Sequence, residues 1–203
     1  MEAKFIAIEG IDGAGTTTQA IRLRDALINR GEKCVLTCEP TRGPVGSVIR
    51  LALNGRLKLT PNDAQREESV LGLLFAADRL DHLLNEVYPA LEAGSHVVSD
   101  RYYLSSFAYQ SARCDLAWLR QLNSQCPRPT VTFLLDLDPE VCLRRIRKDR
   151  NGRDRYEELE QLQTIRSNYL QIAEILRSEG EQIVRIDAAK PAEAISDEIL
   201  EHV

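Results

Sequence analysis

Residues 10–18 read Gly10-Ile-Asp-Gly-Ala-Gly-Thr-Thr-Thr18, follow a short apolar run and precede residues with helical spacing. Gly10 and Gly15 fit the phosphate-binding pattern G-x-x-x-x-G-K-[ST], and Thr17 occupies its hydroxyl position. Thr16 stands where the pattern has lysine. The glycines let several N–H groups point inward, and the helix adds the positive end of its dipole. We therefore expect a phosphate loop rather than a purely structural turn.

On both sides of this loop, strand and helix patterns alternate along the whole chain. The predicted strands are Lys4–Glu9, Cys34–Cys38, His96–Ser99, Thr130–Leu137 and Gln182–Asp187. The predicted helices are Thr16–Arg30, Val45–Leu53, Asp63–Glu92, Ser105–Ser111, Leu116–Gln125, Pro139–Lys148, Glu157–Glu179 and Ala192–Glu201. Five buried strands separated by helices predict an α/β fold, a three-layer α/β/α arrangement around a five-stranded parallel sheet.

The bulk composition predicts one globular domain over residues 1–203, with 43% hydrophobic and 28% charged residues and a net charge of −5. This balance argues against a general nucleic-acid binder, which would be basic. The stretch from Arg144 to Arg155 is the exception, because it holds seven cations against two aspartates and so carries +5 while the remainder carries −10. A small anionic ligand and a basic lid, approximately residues 144–156, are the expectation.

The five cysteines match no zinc signature, and we expect reduced thiols in a cytosolic protein. The sequence shows neither a secretory leader pattern nor a long apolar stretch. It therefore predicts a cytoplasmic protein that is not membrane-spanning.

Several polar residues follow predicted strands, at the sheet edge where ligands bind in parallel α/β folds. Asp12 lies inside the glycine loop and is expected to accept a hydrogen bond from a substrate hydroxyl; the alternative is a solvated loop residue. Arg101 can clamp a phosphate bidentately, and Asp100 can orient Mg²⁺ through water. The alternative for that pair is a structural ion pair. Thr17 can place its hydroxyl on Mg²⁺.

Two further patterns allow more than one interpretation. Phe75 and Arg79 are four apart on a helix, so a ring and a guanidinium could stack a base and reach its edge. From spacing alone, core packing with a surface charge is the favoured interpretation. The run ending in Arg153-Asp-Arg-Tyr156 reads as a flap that could close over transferring phosphates, the alternative being a solvated helix end.

Taken together, these residues resemble the thymidylate kinases, a branch of the nucleoside-monophosphate kinases. The resemblance covers most of the chain in the family's order. It rests on the stretches Phe5-Ile-Ala-Ile-Glu-Gly-Ile-Asp-Gly-Ala-Gly15, Glu39-Pro-Thr-Arg42, Leu74-Phe-Ala-Ala-Asp-Arg79, Asp100-Arg-Tyr-Tyr-Leu-Ser-Ser-Phe-Ala-Tyr-Gln110 and Asp154-Arg-Tyr-Glu157.

The resemblance implies transfer of the ATP γ-phosphoryl group to dTMP, with Mg²⁺, giving dTDP for dTTP biosynthesis. For dTMP it implies thymine stacking by Phe75, a base-edge contact by Arg79 and an acceptor phosphate held by Arg42 and Arg101. It further implies that Asp12 takes the sugar 3′-hydroxyl, that Tyr109 and Tyr156 line the sugar, and that Ser105, Ser106 and Gln110 face the thymine or its phosphate.

For ATP the resemblance implies binding by the loop residues Gly10, Gly13, Ala14, Gly15, Thr16, Thr17 and Thr18, with Arg144 or Arg147 stacking on adenine. It implies that Glu157 acts on the magnesium ion indirectly, through a bound water. The loop has no arginine, so the lid type of the family fits, with Arg150 and Arg153 as the catalytic candidates. Family members are usually homodimers built on helix packing.

Thr16 departs from the family, which has lysine there to follow the β- and γ-phosphates. Phosphoryl transfer depends on positioning and charge stabilisation, so losing this cation removes several kcal/mol of transition-state stabilisation unless another replaces it. We favour replacement by a lid arginine. The alternatives are a catalytically weak relative that binds nucleotides as a sensor or scaffold, and a kinase of another nucleotide.

Overall fold

The computed structural model describes residues 2–60, 63–146 and 153–203. Within these residues, five strands form one parallel sheet. The strands are β1 (Phe5–Gly10), β2 (Cys34–Cys38), β3 (His96–Asp100), β4 (Val131–Asp136) and β5 (Ile183–Asp187). Their order across the sheet is β2-β3-β1-β4-β5. The predicted α/β fold with a five-stranded parallel sheet is confirmed, and each strand lies within two residues of its predicted bounds.

The burial of each strand follows from its place in the sheet. All six residues of β1 are buried, and β3 and β4 are buried except for their last residue. These three strands are buried because helices cover a parallel sheet on both faces. Their buried polar residues are Glu9, His96, Ser99 and Thr132. The edge strands β2 and β5 are partly exposed.

Helices surround this sheet. They are α1 (Thr16–Asn29), α2 (Pro44–Leu53), α3 (Ala64–His82), α4 (Tyr88–Glu92), α5 (Tyr103–Gln110), α6 (Leu116–Leu122), α7 (Pro139–Ile146), α8 (Arg153–Ser178) and α9 (Ala192–Leu200). A π-helical segment, Leu83–Val87, joins α3 to α4, so the predicted helix Asp63–Glu92 is continuous but irregular before Pro89. Helix α8 begins four residues earlier than predicted. None of the described helices is both long and apolar enough to cross a membrane.

The strand register brings the loops that follow β1, β2 and β3 to one edge of the sheet. Asp100, the last residue of β3, is paired with Ile8 of β1 on one side and with Cys38 of β2 on the other. The glycine loop, the segment after Cys38 and the turn at Arg101 therefore start side by side. This convergence of three loops builds the site.

Candidate active site

The glycine loop joins β1 to α1 and closes tightly against its neighbours. Gly13 has φ 83°, and a Cβ there would lie 2.7 Å from the carbonyl oxygen of Cys142 on α7. Gly15, with φ 102°, is the N-cap of α1, which has no side-chain cap. The N-terminal N–H groups of α1 therefore face a ligand position, which suits a phosphate.

A cleft of about 550 Å³ opens over this loop. Its lining is formed by Asp12, Gly13, Ala14, Gly15, Thr16, Thr17, Thr18, Gln19, Arg101, Arg145, Ala188, Lys190, Ala192 and Ile195. We call it the phosphate cleft. Thr16, at the lysine position, is buried. Among the described residues of this lining, the cations are Arg101, Arg145 and Lys190.

Arg145 is a functional candidate that the sequence patterns did not single out. One guanidinium nitrogen (Nη1) donates to the carbonyl oxygen of Gly13 at 3.3 Å, at the rim of the phosphate cleft. Arg145 lies three residues after Cys142, whose backbone contacts Gly13, so helical spacing turns both toward the loop. Arg144, which with Arg147 was one of two candidates for an adenine contact, is exposed, and its guanidinium lies 3.8 Å from the Glu140 carboxylate.

Asp100 and Thr17 form the candidate magnesium position. The Thr17 hydroxyl donates to Oδ2 of Asp100 at 2.5 Å. The other carboxylate oxygen of Asp100 is buried and has no hydrogen-bond partner. An unsatisfied carboxylate oxygen beside a phosphate loop fits Mg²⁺, which is held by one or two carboxylates, phosphates and water. Within the described part of the chain, no cluster of three or more His, Cys, Asp or Glu could cage a metal.

Arg101 stands at the centre of the site. It is the one non-glycine residue with positive φ (75°) among the described residues. Its guanidinium donates to the carbonyl oxygen of Gly10 at 2.9 Å and to the carboxylate of Asp12 at 2.6 Å. Although burial opposes it, the neighbouring Tyr109, Tyr169 and acidic groups hold the pKa of Arg101 well above its usual value. It therefore stays cationic at the loop.

A second cleft, of about 400 Å³, adjoins the first and shares Asp12 and Arg101 with it. Its lining is formed by Asp12, Glu39, Pro40, Leu53, Phe75, Arg79, Arg101, Tyr102, Ser105, Ser106, Tyr109 and Gln110. We call it the acceptor cleft. Gln110 has a buried side-chain oxygen, Oε1, without a hydrogen-bond partner. The cleft therefore offers an aromatic wall and an unused acceptor to a ligand.

The structure corrects the expectation of a surface charge at Arg79. Its side chain is 1% exposed, and it forms an ion pair with Glu39 at 2.7 Å. It also donates to the Ser106 hydroxyl at 2.9 Å and to the side-chain oxygen of Asn123. A buried guanidinium needs such partners, and here they fix it in the wall of the acceptor cleft beside Phe75.

The remaining predicted residues divide into three groups. The hydroxyl oxygen of Tyr109 accepts from the backbone N–H of Asp12 at 3.1 Å, and burial raises the pKa of Tyr109 to about 12. Arg42 is exposed in the loop after β2 and is not among the residues lining either cleft of the described structure.

Five predicted site residues are not described by the structure. Arg147 and Arg150 lie outside the described residues, and the side chains of Arg153, Tyr156 and Glu157 are not described.

Sequence comparison agrees with this geometry. A family model described as thymidylate kinase matches residues 8–199. A probable thymidylate kinase of Thermococcus kodakarensis is 42% identical over 199 residues, covering 97% of this chain and 95% of that protein. Proteins of the same description from Pyrobaculum calidifontis and Archaeoglobus fulgidus are each 37% identical, over 97% and 96% of this chain and 93% and 92% of their own length.

Proposed function

The chain belongs to the thymidylate kinase family of nucleoside-monophosphate kinases, and on that premise we propose that it converts dTMP and ATP to dTDP and ADP. One observation carries the proposal. Two clefts meet at Asp12 and Arg101, one built on a phosphate loop and one on an aromatic wall. Such a pair suits a donor triphosphate and an acceptor nucleotide whose phosphates meet at one arginine.

In the acceptor cleft we assign Phe75 to stacking on thymine and Arg79 to the base edge. Ser106 and Gln110 complete the base contacts, with the unpartnered oxygen of Gln110 available to accept from the base. Ser105, Tyr109 and Tyr156 are assigned to the sugar or phosphate side, and Arg42 to the acceptor phosphate. Arg42 is exposed, so this role requires it to fold over the bound nucleotide.

The chemistry asks little covalent work of the protein. An ionised oxygen of dTMP attacks the γ-phosphorus, the bond to the β-phosphate oxygen breaks, and ADP leaves. The loop N–H groups and Arg101 stabilise the negative charge on the γ-phosphoryl group as it passes from ATP to the phosphate of dTMP. Asp12 would receive the sugar 3′-hydroxyl after releasing Arg101. Mg²⁺ bound with ATP would screen the phosphates, and we assign Thr17 and Asp100 to hold it and Glu157 to act on it through water.

We propose that arginines of the lid replace the charge of the missing loop lysine. The lid, approximately residues 144–156, carries Arg150 and Arg153 as the catalytic candidates and Arg144 or Arg147 for adenine. Arg145 supports the idea, because the guanidinium at the base of this lid already reaches Gly13. The competing proposal, a catalytically weak relative, rests on the buried Thr16 at the same position.

The single-domain organisation, cytoplasmic location and homodimer remain proposals. The family match over residues 8–199 supports one domain. All five cysteines are free, which is compatible with a reducing compartment. An exposed apolar stripe along α3 and the π-helical segment supports helix-to-helix pairing between two copies; it consists of Leu73, Ala77, Leu80 and Leu84. No nucleic-acid partner is proposed.

A coupled assay of ADP release tests the substrate. The protein, with ATP and Mg²⁺, is given dTMP, dUMP, dCMP, UMP or thymidine in turn. We expect the highest kcat/KM with dTMP. We expect no phosphorylation of thymidine, because it lacks the acceptor phosphate that Arg101 would hold. A higher kcat/KM for another nucleotide would overturn the dTMP assignment while leaving a nucleotide kinase.

A further inference from the structure

Glu9 is a buried carboxylate that the proposed function leaves without a task. It interrupts the apolar strand β1 just before the glycine loop, and it is 0% exposed. Burying a carboxylate costs free energy unless the carboxylate is hydrogen-bonded. The hydrogen-bond partners of Glu9 therefore indicate its role.

Its first contacts are with the beginning of α5. One carboxylate oxygen of Glu9 accepts from the backbone N–H of Tyr102 at 2.8 Å and from that of Ser105 at 3.2 Å. Helix α5 has no cap from its own N-cap side chain. Glu9 therefore serves as the cap from a distant strand and fixes the helix that follows Arg101.

Its second contacts are with two hydroxyl groups. The Ser105 hydroxyl lies 2.5 Å from the carboxylate, the Tyr169 hydroxyl lies 3.2 Å from it, and the two hydroxyl oxygens are 2.7 Å apart. Above its raised pKa of about 7, the Glu9 carboxylate is ionised and only accepts hydrogen bonds. Ser105 donates to Glu9, so the Tyr169 proton goes either to Glu9 or to the Ser105 oxygen.

Both hydroxyl groups consequently turn their lone pairs toward Arg101. Its Nη1 donates to the Ser105 oxygen at 3.2 Å and to the Tyr169 oxygen at 3.2 Å, besides the carbonyl of Gly10. Arg101 has a left-handed backbone that a non-glycine residue adopts only at a cost in free energy. Surrounding contacts must hold it there.

We infer that Glu9 is a positioning residue for phosphoryl transfer, which sets the direction of the Ser105 and Tyr169 hydroxyls and thereby aims Arg101 at the acceptor phosphate. The inference rests on the proposed function, because the role of Arg101 belongs to it. A neutral amide at position 9 would place a donor against the Ser105 hydroxyl, reverse its direction and set a proton against the guanidinium.

Calorimetric binding of dTMP and of thymidine, without ATP and at about pH 8.5 where Glu9 is ionised, tests the inference in Glu9→Gln and Tyr169→Phe. Tyr103→Phe is the matched control, because it removes a phenol hydroxyl on α5, the helix that Glu9 caps, and that hydroxyl donates to Glu181 and not to Glu9. Thymidine has no phosphate, so it reports damage to the cleft separately from loss of the arginine contact.

We expect Glu9→Gln to raise the Kd for dTMP about tenfold, and Tyr169→Phe to raise it less, while the Kd for thymidine stays unchanged and Tyr103→Phe matches wild type. An unchanged Kd for dTMP in Glu9→Gln, or an equal rise in the Kd for both ligands, overturns the inference about Glu9 and leaves the proposed function intact. If Glu9→Gln does not fold, Tyr169→Phe decides in the same way. A wild-type protein that binds neither ligand overturns the proposed function, and the inference with it.

Discussion

Single residues set the shape of the phosphate loop. Gly13 combines a positive φ with a neighbouring backbone: a Cβ would lie 2.7 Å from the Cys142 carbonyl oxygen and 3.1 Å from its Cα. Gly55, which ends α2, has a similar φ of 69° but no atom within 4 Å of a Cβ. An alanine at Gly55 therefore meets only backbone strain, whereas an alanine at Gly13 meets backbone strain and a steric clash with α7.

We predict that Gly55→Ala lowers the free energy of unfolding by about 1 kcal/mol, the usual strain of this conformation, and leaves the ATP affinity unchanged. Gly13→Ala should lower the free energy of unfolding further and weaken ATP binding, because α7 must move away from the loop. Denaturant unfolding and ATP titration measure both quantities. Equal effects of the two substitutions would show that the loop is not closed against α7.

The charge of Glu9 links pH to stability. Burial raises the pKa of this carboxyl to about 7 from the ordinary value of 4.5, against the opposing hydrogen bond from Ser105. Between these two values the folded protein binds the proton and the unfolded chain does not. The free energy of unfolding must therefore fall as pH rises through this window, by about 3 kcal/mol from this group.

The comparison of wild type with Glu9→Gln isolates that contribution, because the other titrating groups are common to both. We predict that the stability advantage of wild type over the variant shrinks between pH 5 and pH 8 in urea unfolding. A constant difference across this range would mean that the Glu9 carboxyl is not protonated in the folded protein near neutral pH.

At the scale of elements, the ion pair between Arg79 of α3 and Glu39 after β2 joins two segments that build the acceptor cleft. Both side chains are at most 2% exposed, and removing one partner leaves a buried charge. We predict that Arg79→Met costs about 3 kcal/mol or more of stability. Arg22→Met, which breaks the exposed pair with Glu193, should cost less than about 1 kcal/mol. Chemical denaturation of both variants checks this; a similar cost would contradict the buried role.

The elements themselves were predictable, while the contacts among them were not. Alternating apolar runs and helical spacing identify all five strands and the main helices, since these signals are local. The partners of Arg79 and Glu9 come from positions 27 to 160 residues away in the chain, and no local pattern encodes them. A charged residue inside a buried strand was the available signal for Glu9. For Arg145 the available signal was its place in the cation-rich run from Arg144 to Arg155.

At the scale of the whole molecule, the exposed stripe Leu73, Ala77, Leu80 and Leu84 predicts pairing of two copies. Its central and outer leucines are 38–66% exposed. We predict that Leu84→Glu shifts the protein toward monomer in analytical ultracentrifugation, because a charge would then be buried at the interface. Ile28→Glu, at an exposed apolar position on α1, is the control and should leave the mass unchanged. A monomeric wild type would remove the homodimer proposal.

We propose that this molecule is an active dTMP kinase although Thr16 stands at the lysine position. The kcat for dTMP phosphorylation, measured in wild type and in Thr16→Lys, decides between this proposal and a nucleotide-binding relative. On the proposal that lid cations supply the lysine's charge, we predict that the kcat of wild type lies within about tenfold of that of the variant. A well-placed donor is worth about 100- to 1,000-fold in rate. Background turnover in wild type, with activity restored only by Thr16→Lys, would contradict the account and identify a nucleotide-binding relative.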